Sequence, residues 1–148
     1  MTTISSKARW VALGLATVLA GPALAGDPSG TWLTEGGKSQ VRLANCGAAL
    51  CGRIQWLKEP SDPATGKPKR DARNPDPSKR DRPIVGVDIL LGMRPDQTPN
   101  QWAGDIYNPE DGKTYQAHLT LQDARTLQVK GCVLGGLICK SQAWLRAN

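Results

Sequence analysis

The chain of 148 residues has no phenylalanine, one histidine and two tyrosines, so aromatic packing falls to its five tryptophans. A single imidazole, His118, rules out a histidine metal cluster and makes one residue the sole base for Ser-His-Asp or Cys-His catalysis. That histidine alternates to the outer side of its segment, and no Gly-x-Ser-x-Gly elbow occurs. Cys-x-x-Cys is absent as well, which disfavours thiolate chemistry. The acids available for paired-carboxylate work, Glu35, Asp105, Glu110 and Asp111, fall at turns or on outward positions. These absences predict a protein that is not an enzyme and that holds no cofactor and no metal. The length suits one domain and excludes a large multidomain assembly.

What is present begins with a processing pattern. Lys7 and Arg9 precede an apolar stretch from Trp10 to Ala20, followed by Gly21, Pro22 and the small-residue triplet Ala23-Leu24-Ala25. This layout predicts a secretory signal peptide over residues 1–25, cleaved after Ala25, and a periplasmic or secreted mature domain over 26–148. An apolar stretch of about 11 residues is too short to span a bilayer, which takes roughly 20. Lys7 and Arg9 account for part of the net charge of +6, which their removal lowers to +4. So mild an excess, dispersed along the chain, predicts no nucleic-acid partner, although it can steer the protein toward anionic surfaces. All four cysteines, Cys46, Cys51, Cys132 and Cys139, lie in the exported part, where disulfides persist. Three pairings are possible, and the favoured one joins Cys46 to Cys51 and Cys132 to Cys139, because each pair flanks a turn.

From Gly30 onward, apolar and polar residues alternate with period two, and clusters of Gly, Pro, Asn and Asp break the pattern. About eight antiparallel strands follow, over Thr31–Glu35, Lys38–Ala44, Leu50–Leu57, Ile84–Gly92, Gln101–Tyr107, Thr114–Gln122, Thr126–Leu134 and Leu137–Leu145. Alternation sends Trp32, Val41, Leu43, Ile54, Trp56, Trp102, Ile106, Tyr115, Ala117, Leu119, Leu121, Leu127, Val129 and Trp144 inward. A Gly135-Gly136 turn puts Leu134 opposite Leu137 and therefore Cys132 opposite Cys139. No amphipathic helix is available to cover one face of so large a sheet, so closure into an eight-stranded barrel is the expected architecture, with a β-sandwich as the alternative.

Lys58 to Pro83 departs from this meander, with six prolines, no apolar periodicity and a high density of charge of both signs. A segment of this length without regular structure is expected to act as a lid, a recognition loop or a mobile strap. Asp71, Asn74 and Asp76 offer oxygen ligands, but their spacing lacks the glycine and terminal glutamate of a calcium loop. If Cys132 and Cys139 share the outer face, Lys140 faces inward near the hairpin end, where it can meet an anionic headgroup. A pocket for a small apolar or amphipathic ligand is therefore expected from Trp32, Trp56, Trp102, Tyr115, Lys140 and Trp144.

Gly30-x-Trp32, Leu50-Cys51-Gly52-Arg53-Ile54-x-Trp56, Asp71-x-x-Asn74-Pro75-Asp76-Pro77, Arg80-x-Arg82-Pro83-Ile84-x-Gly86 and Trp102-x-Gly104-x-Ile106-Tyr107-x-Pro109-Glu110-Asp111-Gly112 stand out as blocks. With Trp144-x-Arg146 at the end, the sequence resembles the exported bacterial family called domain of unknown function 2147. The resemblance covers nearly the whole mature chain. It implies an all-β, eight-stranded antiparallel up-and-down (lipocalin-like) barrel with one long Pro-rich loop, and no established activity. In lipocalin-like barrels a Gly-x-Trp ring packs under an arginine of the last strand, which Trp32 and Arg146 match here. The loop residues Arg70, Asp71, Asn74, Asp76, Arg80 and Arg82 then suggest a second reading, an envelope module docking on another protein or on cell-envelope polymer.

Overall fold

The computed structural model describes residues 16–18 and 26–147, so the expected signal peptide lies almost wholly outside the described residues. Eight strands run in chain order: β1 Gly30–Leu33, β2 Ser39–Cys46, β3 Ala49–Leu57, β4 Asp88–Pro95, β5 Gln101–Asn108, β6 Lys113–Asp123, β7 Thr126–Val133 and β8 Ile138–Arg146. Each pairs antiparallel with its chain neighbour, and β1 pairs with β8, so the sheet closes into a barrel without free edges. Among the described residues no helix is long and apolar enough to cross a membrane.

An up-and-down meander sorts its connections between two ends. At one end lie the β2–β3, β4–β5 and β6–β7 turns with the strap of residues 26–29. The β1–β2, β5–β6 and β7–β8 turns lie at the other, together with the connection of residues 58–87 from β3 to β4; this is the loop end.

Alternation places the core largely as expected. Trp32, Val41, Leu43, Leu90, Met93, Leu119, Leu127 and Trp144 are all 0–2% exposed and fill the barrel axis. Both expected disulfides are present, and Cys132 lies opposite Cys139 in the β7–β8 register.

Three details differ. Trp56 is 42% exposed rather than interior, because a bulge beside Gln40 and Val41 brings Val41 opposite Ile54 but Gln40 opposite Trp56. The inward alternation of β3 therefore stops at Ile54. The fourth strand starts at Asp88 instead of Ile84, since Ile84 N–H is held by Lys69 C=O and Gly86 N–H by Ile54 C=O as parts of the loop. Tyr107, whose alternation opposes that of Ile106, is nevertheless buried, because the loop lies over it.

The loop is built rather than slack. Short bridges join Ser61 to Pro68 and Arg70 to Pro83, and a 3-10 turn over Pro77–Lys79 is capped by the Asp76 carboxylate accepting from Ser78 N–H. It rests on the β5–β6 turn at Gly112, whose φ is +70° and where a Cβ would stand 1.8 Å from Arg73 C=O. Gly112→Ala is expected to cost about 2 kcal/mol through strain and displaced backbone. Chemical denaturation reads this as a lowered midpoint with an unchanged slope.

Candidate functional site

The strap end is sealed. Trp32 donates its indole N–H to Pro28 C=O (2.8 Å), and the Arg146 guanidinium lies 4.3 Å over the Trp32 ring. Arg146 also donates to the carbonyls of Asp27 (3.0 Å), Ser29 (2.7 Å) and Ala124 (2.7 Å), tying the strap to the β6–β7 turn. Gly30 belongs to this arrangement: its φ is +131°, and a Cβ there would lie 2.6 Å from Arg146 Nη1. The hollow left at this end, about 120 Å³ between the strap, Leu50, Met93 and Trp102, is small for an organic ligand.

The barrel axis offers no more room. Side chains with no accessible surface touch no void wide enough for water, and this holds for Trp32, Leu43, Leu90, Leu119 and Leu127. The six residues expected to form one pocket are therefore not brought together. Trp32 and Trp144 are core, Trp102 faces the strap-end hollow and Trp56 is on the surface. Tyr115 and Lys140 stand at the loop end, as does the surface-exposed Trp56. Tyr115 is half-buried and donates its hydroxyl to Asp111, while Lys140 is exposed opposite Gly131.

The loop is organised around Asp71, a fully buried carboxylate. Its Oδ1 accepts from the Tyr107 hydroxyl at 2.5 Å, and its Oδ2 accepts from Asn74 Nδ2 (2.8 Å) and from Arg82 Nε (2.9 Å) and Nη2 (2.8 Å). Burial by itself raises the Asp71 carboxyl, but the hydrogen bonds from Tyr107, Asn74 and Arg82 outweigh it and hold the group below its ordinary value. Burial, reinforced by the Asp71 charge, pushes the Tyr107 phenol up to about 12. The residues named as loop contacts thus bond largely to one another: Arg80 Nε donates to Asn74 C=O, Asp76 N–H to Asn74 Oδ1, and Arg70 Nη1 to Asp81 C=O. Arg82 already supplies the positive charge that a bound cation would bring, and no group of three metal-ligating side chains occurs among the described residues.

Beside this core the loop borders an open hollow of about 470 Å³, lined by Asp62, Pro63, Thr65, Lys67, Pro68, Lys69, Arg70, Ala72 and Ile84. The prolines, Ala72 and Ile84 give it apolar walls, and Lys67, Lys69 and Arg70 give it three cations. Lys69 and Arg70 lie 3.9 and 3.8 Å from Glu59 and Asp81, whereas Lys67 has no ion-pair partner among the described residues. Sequence reasoning passed over Lys67, Lys69 and Tyr107. The lysines sit in a segment without periodicity, but an aromatic on the outward alternation of β5 was a legible sign that something covers that face.

A closed eight-stranded up-and-down barrel with a sealed strap end and an elaborated loop end defines the lipocalin-like class. Residues 30–146 match the family described as "uncharacterized protein conserved in bacteria", DUF2147, and the chain belongs to that family. Among solved structures it is similar to protein HP1028 of the human pathogen Helicobacter pylori, described as belonging to the lipocalin family. The two share 25% sequence identity with a TM-score of 0.67, over 82% of this chain and 84% of that one. No curated protein matches the chain.

Proposed function

We propose that this protein is an exported, non-enzymatic binding protein whose ligand seats in the hollow of the loop rather than inside the barrel. One observation carries the reading: the barrel axis is filled by side chains without accessible surface, while the loop offers about 470 Å³ lined by Lys67, Lys69 and Arg70. That volume falls within the usual range for small-molecule sites. Three cations against the single carboxylate of Asp62, over apolar walls, suit an anionic group carried on an apolar or sugar-like body, as in a cell-envelope molecule. Export is supported by the layout of residues 1–25 and by two disulfides that require an oxidising compartment. The lipocalin-like barrel supports binding over catalysis by analogy of fold alone.

A second reading keeps an amphipathic ligand at the barrel mouth. The inward positions Ile106, Tyr115, Gly131 and Gln142 are partly exposed at the loop end, whereas Ala117, Val129 and Trp144, deeper in the barrel, are buried. The two readings separate cleanly by mutation. Native mass spectrometry of protein purified from its own cell envelope is expected to show a co-purifying anionic molecule. The double variant Lys67→Ala, Arg70→Ala is expected to weaken its retention by about tenfold or more, at roughly 1 kcal/mol per lost charge contact. Lys140→Ala is expected to leave retention unchanged. Loss with Lys140→Ala and not with the loop variant favours the mouth.

A further inference from the structure

The β7–β8 hairpin ends in a cluster the binding site does not use. Val133, Leu134, Leu137 and Ile138 are 37%, 71%, 81% and 57% exposed at the hairpin tip. Hairpin turns ordinarily present Gly, Asn, Asp or Ser at such positions. Here four aliphatic side chains stand within six residues, and Leu134 adopts φ +53°, a conformation that an L side chain rarely takes. The fold does not require these side chains, since none belongs to the core cluster. A contiguous exposed apolar tip of this kind marks an interaction site.

The tip is also rigid. The Cys132–Cys139 disulfide crosses it, and Val133 stays paired with Ile138 immediately before the turn. Behind the disulfide come Lys130 and Lys140, both exposed, and from Ala124 to Ala147 the sequence contains no acidic residue. The turn packed beside β8 contributes Glu35 and is followed by Lys38, and the β5–β6 turn at the same end contributes Glu110 and Asp111 and is followed by Lys113, so that with Lys130 and Lys140 the cations stay ahead by one. Apolar tip first and basic collar second is the order in which a molecule meets acyl chains and then anionic headgroups. Trp56, also exposed, lies at the same end of the barrel, a residue type favoured at membrane interfaces.

We propose that the β7–β8 tip docks the protein onto an anionic phospholipid bilayer, with Leu134 and Leu137 entering the interface and Lys130 and Lys140 resting on the headgroups. This contact is separate from the loop hollow and stands whether or not that hollow holds a ligand. Co-sedimentation of the purified, disulfide-intact protein tests it, using vesicles of phosphatidylglycerol and phosphatidylethanolamine in equal parts against vesicles of phosphatidylcholine. Binding is expected to the anionic vesicles, weaker by several-fold on phosphatidylcholine and falling as salt rises. Leu134→Ser, Leu137→Ser is expected to lower the partition coefficient more than tenfold, and Lys130→Ala, Lys140→Ala by several-fold. Because both leucines are exposed, the variants keep the wild-type circular dichroism; Leu137→Ser alone, at the most exposed position, serves as the milder control. The proposal is overturned by equal partition of the leucine variant, by no binding to anionic vesicles, or by a tip-dependent dimer in gel filtration that binds no lipid.

Discussion

Trp32→Ala is expected to lower the unfolding free energy by about 3–5 kcal/mol, the range for removing a fully buried aromatic. For a domain of this size that corresponds to a fall in Tm of about 10–20 °C. The effect is large because three contributions end together. The indole fills the barrel axis with no accessible surface, its N–H satisfies Pro28 C=O, and its face carries the Arg146 guanidinium. Arg146 would keep its carbonyl acceptors but lose its cation-π partner, so the strap loosens as well as the core. Arg146→Lys separates the two parts. It preserves charge while removing the fork that reaches three carbonyls, and it is expected to cost less than Trp32→Ala. Differential scanning calorimetry of both variants checks the order.

Asp71→Ala is expected to act on the loop instead of on the barrel. Removing the carboxylate strands the Tyr107 hydroxyl and the Arg82 guanidinium, and Arg82 is 38% exposed, so water recovers part of the loss. A cost of about 3 kcal/mol is expected. It should appear as local opening, because the loop hangs on this one group while the barrel has its own core. In hydrogen exchange, the amides at position 71, Lys69 and Ile84 should lose about two orders of magnitude of protection, with β6 and β7 amides nearly unchanged. The wild-type loop has a matching pH dependence. The Asp71 pKa is depressed, so its contribution is complete above the ordinary carboxylate value of 3.8 and fades as pH falls through the lower folded value. The Tyr107 pKa is raised to about 12 from 10.0, so its contribution is complete below pH 10.0 and is lost as pH approaches 12. Loop protection should therefore hold a plateau between these limits and fall on both sides; a slope near neutrality would contradict the assignment.

Period-two alternation was enough to place eight strands, most of the core and the β7–β8 register, because each of these follows from local pattern and turn chemistry. The cysteine pairings followed from the same hairpins. Trp56 escaped because a single bulge residue reverses alternation without leaving a mark in composition. Tyr107 escaped for a different reason: its partner Asp71 lies 36 residues away, across a segment with no periodicity to read. The same absence hid the hollow, whose lining residues carry no spacing signature and meet only because Arg70 pairs with Pro83 and Lys69 C=O receives Ile84 N–H. The loop residues Asp71, Asn74, Asp76, Arg80 and Arg82 attracted notice as an array of polar groups. Packing has turned them largely toward one another, whereas the cations next to them face the hollow, Lys69 beside Glu59 and Lys67 exposed to solvent.

The proposed recognition site is the loop and not the barrel interior. The most direct measurement is amide NMR of the isotopically labelled protein, titrated with the anionic molecule recovered from the cell envelope. Shifts confined to residues 62–72 and Ile84 are the predicted result. Shifts centred on Ala117, Leu119, Leu127 and Val129, deep in the barrel, with the loop unmoved, would contradict it.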